Sequence, residues 1–413
     1  MRAHPRFGGW VRIDIFTNRV PVALLLGSLI SALSIMLISA RPAPASGLLQ
    51  MSAGAADSAV NGSAVAEPLS PSGALFHNPA GLASFADTTV STSVGMAFGH
   101  ERIKTATGYN EMNDTFGLIP DAAISVPGPN GWTYGAGVFG SIGLAYEFPA
   151  DPATGIDSNY FSECTIAGMP LAIAKRVNDK LWLGAEITPM LGYLRNIYRY
   201  GVPFHYKLIG PGVQGMVGAT YKPTERWWLG ASLRTPGKVW MDGSDEAPTG
   251  GRQDVNLEVK LPTQLSLGVE HLFTEKLRVM ASVRYTDSSK FGHSDIEFEK
   301  MPVSVPFIPD ALDEWRYVIG LRYAWIEPLE LRTGLAYANR IVGTGGVSPL
   351  VYDNNQFVLS GGFGYTTGPW TIEFVAGFVP YEDRRVDADE AAIFPGTFES
   401  GGAEVALGFQ RRF

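Results

Sequence analysis

Gly135-Ala-Gly137-Val-Phe-Gly140 satisfies the G-x-G-x-x-G spacing that lets backbone amides approach a pyrophosphate, and Asp157 follows where a ribose hydroxyl would be bound. That chemistry requires the glycines to turn a strand into a helix, whereas here they sit inside a segment of alternating polarity. Asp157 belongs to a Pro/Gly-containing loop, so a dinucleotide site is rejected. No G-x-S-x-G elbow occurs and the six histidines are scattered. His77 and His271 read as packing or interfacial residues, because a base would need a Ser and a carboxylate brought beside it. The one cysteine, Cys164, excludes an intramolecular disulfide, and nothing suggests a thiol nucleophile or a metal site. The cluster Glu382-Asp-Arg-Arg385-Val-Asp-Ala-Asp-Glu390 reads first as solvated surface. A sharper reading has Arg384 or Arg385 folding inward to pair a ligand carboxylate, with Arg195 and Arg199 as rivals on a second loop.

Strands must position these residues. From Val255 to Phe273 the odd positions are apolar apart from Thr263 and His271, and the even ones include Asn256, Glu258, Lys260, Gln264, Ser266 and Glu270. A helix would mix the two sets on every face. The last ten residues alternate in the same way, with Val405, Leu407, Phe409 and Phe413 in one phase. Such segments predict fourteen strands near 88–100, 119–127, 132–145, 164–177, 181–194, 209–222, 226–237, 254–273, 276–288, 314–326, 329–341, 355–367, 369–380 and 402–413. Every second connection is short, as at Asn178 to Lys180, Pro223 to Glu225 and Thr274-Glu275, and the others are long. That asymmetry suits a transmembrane barrel with tight turns at one rim and extended loops at the other. The expected fold is therefore an all-β, fourteen-stranded antiparallel transmembrane β-barrel. Its polar phase, including Glu258, Lys260, Glu270, Arg278, Arg284, Arg322, Arg332 and Glu373, is expected to face a wet lumen.

Arg2, Arg6, Arg12 and Arg19 precede an apolar run from Val20 to Ile38, and Ala43-Pro-Ala45 offers small residues for cleavage. Residues 1–45 are read as a signal peptide, 46–87 as a separate N-terminal unit and 88–413 as the barrel. Removing 1–45 leaves 27 basic and 39 acidic groups, a net charge of −12, which argues against a nucleic-acid partner. No later segment is long and apolar enough for a membrane helix, so further crossings fall to strands.

Residues 47–87 do not alternate. They are rich in small side chains, which suit backbone-on-backbone packing in a confined space. Asn78-Pro79-Ala80-Gly81-Leu82-Ala83, following Ala66-Glu67-Pro68-Leu-Ser-Pro71, resembles the hatch motif of the FadL/TodX family. So do Gly131-Trp132-Thr-Tyr-Gly135-Ala-Gly137-Val-Phe-Gly140-Ser-Ile-Gly143, Leu261-Pro262-Thr-Gln-Leu265-Ser-Leu-Gly268, Trp315-Arg316-Tyr-Val-Ile-Gly320-Leu-Arg322-Tyr323 and Leu331-Arg332-Thr-Gly334-Leu-Ala-Tyr337. Members are outer-membrane transporters for long-chain fatty acids and aromatic hydrocarbons.

The resemblance implies an N-terminal hatch plugging the barrel lumen and a passive channel, without catalysis or cofactor, that carries hydrophobic small molecules. Capture in an outer groove, binding beside the hatch and lateral release at a kink in strand three are implied with it. Gly137, Gly140 and Gly143 are the expected kink, since glycine inside a strand marks a bend where ladder bonds can part. Asn78, Pro79, Ala80 and Gly81 are the expected hatch motif, and Leu48, Leu49, Met51, Phe139, Arg384 and Arg385 the expected ligand contacts. A lateral exit suits the physics, because drawing an alkyl chain along a hydrated lumen forfeits about 0.8 kcal/mol per CH₂. The alternative is a general porin or structural barrel. Phe413 resembles the terminal aromatic that barrel assembly machinery reads, outer-membrane lipid is the expected surround, and a closed barrel has no free edge to pair, so a monomer is expected.

Overall fold

The computed structural model describes residues 50–113, 115–151, 156, 158–200, 202–246, 251–301, 304–351, 353–387 and 394–413. The expected signal peptide, Leu48 and Leu49 lie outside them. Fourteen antiparallel strands form the wall. They are β1 Thr89–Lys104, β2 Thr115–Pro127, β3 Trp132–Phe148, β4 Tyr160–Gly168 continuing as Leu171–Arg176, β5 Leu181–Tyr200, β6 Val202–Thr224 and β7 Trp227–Arg234 continuing as Gly237–Asp245. There follow β8 Gln253–Leu261 continuing as Gln264–Leu272, β9 Leu277–Thr286, β10 Glu314–Ile326, β11 Leu329–Ala338, β12 Gln356–Thr367, β13 Trp370–Val386 and β14 Gly396–Arg412. Each pairs with its neighbour in sequence, and β1 pairs with β14 from Thr89↔Arg412 to Lys104↔Thr397, which closes the cylinder. No described helix is long and apolar enough to cross a membrane.

The interrupted strands change what the interior is made of. Arg234 of β7 pairs with Gln264 of β8, and Gly237 pairs with Leu261. Between them Thr235-Pro236 faces Pro262-Thr263, where the prolines supply no N–H to the ladder. Gln214 of β6 compensates: its Nε2 donates to the carbonyls of Thr235 at 2.8 Å and Pro262 at 3.0 Å. Across the break the side-chain phase inverts. Below it Leu265 and Leu267 are 44% and 49% exposed while Glu270 is 1% exposed; above it Val255, Leu257, Val259 and Leu261 are buried.

Glu258 and Lys260 consequently face outward, contrary to the expectation that they line the lumen, and Glu258 pairs with Lys238 at 2.7 Å. The outer half of the interior is not wet. Tyr146, Phe148, Tyr160, Tyr198, Phe204, Tyr206 and Phe298 belong to one apolar cluster there, with Tyr198 stacked on Phe204 at 4.9 Å. The wall also stands taller than its alternation suggested. Residues 237–245, expected as loop, are strand; Arg195 and Arg199 lie on β5, and Arg384 and Arg385 on β13.

The N-terminal residues pack inside the lower half. Ser70 caps the helix Pro71–His77 by accepting the Gly73 N–H at 3.0 Å, with Pro71 in the first turn. Asn78 then ties this segment to the wall. Its Oδ1 accepts the Ala80 N–H, and its Nδ2 donates toward the Val65 carbonyl at 2.9 Å and the Ala219 carbonyl at 3.1 Å. Wall glycines admit it. A Cβ on Gly184 would meet the backbone of Pro79 and Ala80, and one on Gly218 would meet Asn78 Oδ1. Gly218→Val should therefore unseat the segment at a cost of about 1–3 kcal/mol while the barrel still forms. The expected result is a rise in planar-bilayer conductance with unchanged heat-modifiable gel mobility.

Candidate functional site

The wall is not hydrogen-bonded along its whole circumference. β2 and β3 pair only from Ala122↔Val138 to Pro127↔Thr133. Above that, β2 continues on β1 and β3 continues on β4, with a register shift between Gly140 and Ile142. Among the described residues the next bond joining the two sides is Asn113 N–H to the Glu147 carbonyl at 2.9 Å. A slit in the ladder thus runs along β3 from Phe139 to Tyr146. The three glycines singled out in the sequence, Gly137, Gly140 and Gly143, lie at its foot and within it.

One bond reaches the β3 edge of the slit from the lumen side. The Gln50 N–H donates to the Ser141 carbonyl at 3.2 Å, and a Cβ on Gly140 would stand 3.1 Å from Gln50 Oε1. Behind Gln50 lies a cavity of about 30 Å³, lined by Phe76, Ile142, Met190 and Leu261 on its apolar side and by Gln214, Arg234 and Gln264 on its polar side. That volume holds only a water or two. Phe139, an expected ligand contact, is buried edge-on against Phe76 at 5.2 Å. Gln50, Gln214, Arg234 and Gln264 were missed in the sequence, although Arg234 and Gln264 flank the Pro236 and Pro262 breaks.

Asp121 stands at the lower end of the slit, one residue above the last β2–β3 pair. Its carboxylate accepts from the Gly54 N–H at 3.1 Å, from Ser72 Oγ at 2.6 Å and from Ser93 Oγ. It therefore clamps two turns of the N-terminal segment to the edge of the opening.

His77 does come within reach of a serine. Its Nε2 is 3.0 Å from Ser52 Oγ and its Nδ1 is 2.9 Å from Arg284 Nη2. A guanidinium only donates, so Nδ1 must accept and Nε2 carries the proton. Burial, and then the charges of Arg284, Arg234 and Arg316, hold the imidazole pKa well below its ordinary value. With Nε2 protonated, His77 donates to Ser52 and is in the wrong tautomer to take its proton.

The wall opposite the slit is closed by charge. From Glu67 through Arg278, Glu270, Arg322, Glu330 and Arg332 to Glu373, ion pairs of alternating sign run at 2.6, 2.7, 3.6, 3.1, 2.8 and 3.2 Å. All but Glu67, which belongs to the N-terminal segment, lie on β8 to β13 near the short-turn rim. Met51 packs on that side, against Val318, Ala336, Val358 and Val379. Arg384 is buried and donates to the carbonyls of Val342 at 2.9 Å and Asp353 at 2.7 Å, whereas Arg385 is exposed and pairs with Asp387. Neither reaches the cavity.

A family described as outer membrane protein transport protein (OMPP1/FadL/TodX) matches residues 35–193 and 210–412. A Pseudomonas aeruginosa FadL homologue superimposes with a TM-score of 0.76 at 18% identity over 89% of this chain and 100% of its own. The P. putida toluene transporter TodX does so at 0.71 and 18%, over 88% and 99%. The Ralstonia pickettii toluene transporter TbuX follows at 0.68 and 19%, also over 88% and 99%. At such identities the likeness is one of fold. Comparison with curated proteins gave no match.

Replacing Asp121 by Ala would strand three buried donors at about 1–3 kcal/mol each. The expected outcome is faster amide hydrogen exchange at residues 52–57 and 70–74, with protection of β10 to β13 unchanged.

Proposed function

The chain belongs to the outer membrane protein transport protein family (OMPP1/FadL/TodX), and on that premise we propose that it moves hydrophobic compounds passively to a lateral exit between β2 and β3. Its family is one of outer-membrane transporters of hydrophobic compounds, so the open points are the route and the gate. The observation that carries this reading is the stretch of β3 from Phe139 to Tyr146, which pairs with β4 but has no ladder partner on its β2 side. In hydrocarbon an unpaired backbone group costs several kcal/mol, so a break at membrane depth is retained where something passes or binds.

In this reading residues 46–87 are a hatch, and Gln50 is its stopper. Cargo collects in the apolar outer half of the barrel and reaches the cavity between Phe76, Ile142 and Leu261. It leaves when the Gln50 to Ser141 bond parts. The cavity is too small for an alkyl chain or an arene while Gln50 is in place, so the gate must move before cargo is released. The straight path is disfavoured because it crosses the ion pairs from Glu67 to Glu373, which would have to be separated in a confined space. Arg234, with its Nη2 on the Phe76 carbonyl at 2.8 Å, ties the polar side of the cavity to the hatch.

Purified protein in liposomes, offered long-chain fatty acid and toluene in turn, tests the reading. Uptake of one or both, with little ion conductance, is the expected outcome. Free conduction of ions and sugars with binding of neither compound would mean a general porin. Gly140→Val places methyls against Gln50 and into the slit, an overpacking of about 1–3 kcal/mol. Uptake should drop about tenfold with folding intact, and normal uptake would remove the slit from the route.

A further inference from the structure

We propose that the outward face of β5 and β6, just above the apolar band, binds the phosphorylated headgroup of an outer-leaflet lipid. The argument begins with position. On β6 the outward side chains Tyr221, Val217, Val213 and Ile209 are exposed and apolar or aromatic, Ile209 by 51%. At about 3.3 Å per residue and a tilt near 40°, the run from Tyr221 to Ile209 rises roughly 30 Å along the barrel axis. That spans the apolar band of about 25 Å that such barrels present to lipid. Ile209 pairs with Tyr193 of β5, and the next outward pair is Lys207 with Arg195. Two cations therefore stand directly opposite each other at the outer boundary of the hydrocarbon.

Like charges directly opposite on a sheet repel, and the one carboxylate in their row, Glu163 of β4 opposite Arg195, leaves one cation in excess. Among the described residues no carboxylate lies within ion-pair distance of either. Arg195 lies over the Phe161 ring at 5.1 Å and Lys207 over the Tyr193 ring at 5.3 Å. The rings hold both cations against the wall and leave their donors to the surround. A phosphate monoester supplies what is absent: negative charge, and acceptor oxygens that a guanidinium can engage in bidentate fashion. The exposed apolar residues just below, Ile209 and Val213, would contact the acyl chains of the same molecule. Headgroup and tails are thus met in the order in which a lipid presents them. This inference rests on the barrel lying in a membrane and not on what it transports.

The test uses the full-length protein in detergent micelles, titrated by native mass spectrometry with a bis-phosphorylated lipid A. A lipid with similar chains and a phosphocholine headgroup, and inorganic phosphate, are titrated alongside. The unmodified protein is expected to bind the bis-phosphorylated lipid in preference to both. R195Q/K207Q should bind it roughly 30-fold more weakly, at about 1 kcal/mol for each cation. R195K/K207R, which keeps both charges, should retain most of the binding. K276Q, at the opposite rim, should match the unmodified protein, and heat-modifiable gel mobility reports folding of every variant. Equal binding by R195Q/K207Q overturns the proposal. Equal binding of the phosphocholine lipid removes the headgroup recognition, and equal binding of inorganic phosphate makes the site one for free anions and not for lipid.

Discussion

Backbone hydrogen bonding is the constraint on which this molecule depends. A sheet facing hydrocarbon has no water to satisfy its N–H and C=O groups, so the strands must close on themselves. The β1–β14 ladder does this over the full length of β1. Each departure from the ladder then requires a substitute partner. At Thr235-Pro236 and Pro262-Thr263 the substitute is the amide of Gln214. Along β3 it is the Gln50 N–H on Ser141. The first is a side chain fixed on the wall. The second comes from a segment held within the lumen, and on this difference rests the proposal that the first break is structural and the second a gate.

The N-terminal segment is held by shape and by polar clips as well as by apolar burial, with Leu75, Phe76 and Leu82 packed on Phe139 and Trp182. Glycines on β5 and β6 let its backbone approach the wall, and Asn78 and Asp121 each bind several of its groups. Short polar side chains of this kind fix a position sharply, because a small displacement leaves buried donors unpaired. Opposite the slit, the alternating carboxylates and guanidiniums from Glu67 to Glu373 bind the segment to the wall through Arg278. Between these clamps Gln50, the first described residue, stands at the opening through its bond to Ser141.

The double break across β7 and β8 divides the interior. Below it, inward positions carry Ser266, Glu270 and Arg234, and the lumen is polar. Above it, Val239, Met241, Val255 and Leu257 point inward and an aromatic cluster fills the space. A segment that keeps one apolar phase throughout, as residues 255–273 do, could not present a polar interior at one height and an apolar one at another without such a break. The backbone of Pro262-Thr263 leaves the regular pleat, so Leu261 is buried and Leu265 exposed where unbroken alternation would keep both on one face.

Much was legible in the residues alone. Strict alternation identified the wall strands, because only a period of two keeps Leu265 and Leu267 on one side and Ser266 and Glu270 on the other. Gly and Asn at the short turns and the run Asn78 to Ala83 marked where the wall stops and the inner segment lies. What alternation cannot report is which face is inside. Val255 to Phe273 keeps one apolar phase throughout, yet Pro262-Thr263 sends its two halves to opposite faces, so Glu258 and Lys260 point outward. Nor could it place Arg384, whose acceptors on Val342 and Asp353 come from a loop many residues away. The sequence by itself determined how many strands there are and which residues alternate, since these follow from local periodicity. Only the tertiary structure decided where the ladder stays open and which group stands in the opening, because pairing joins β2, β3 and Gln50 through space and no local pattern encodes it.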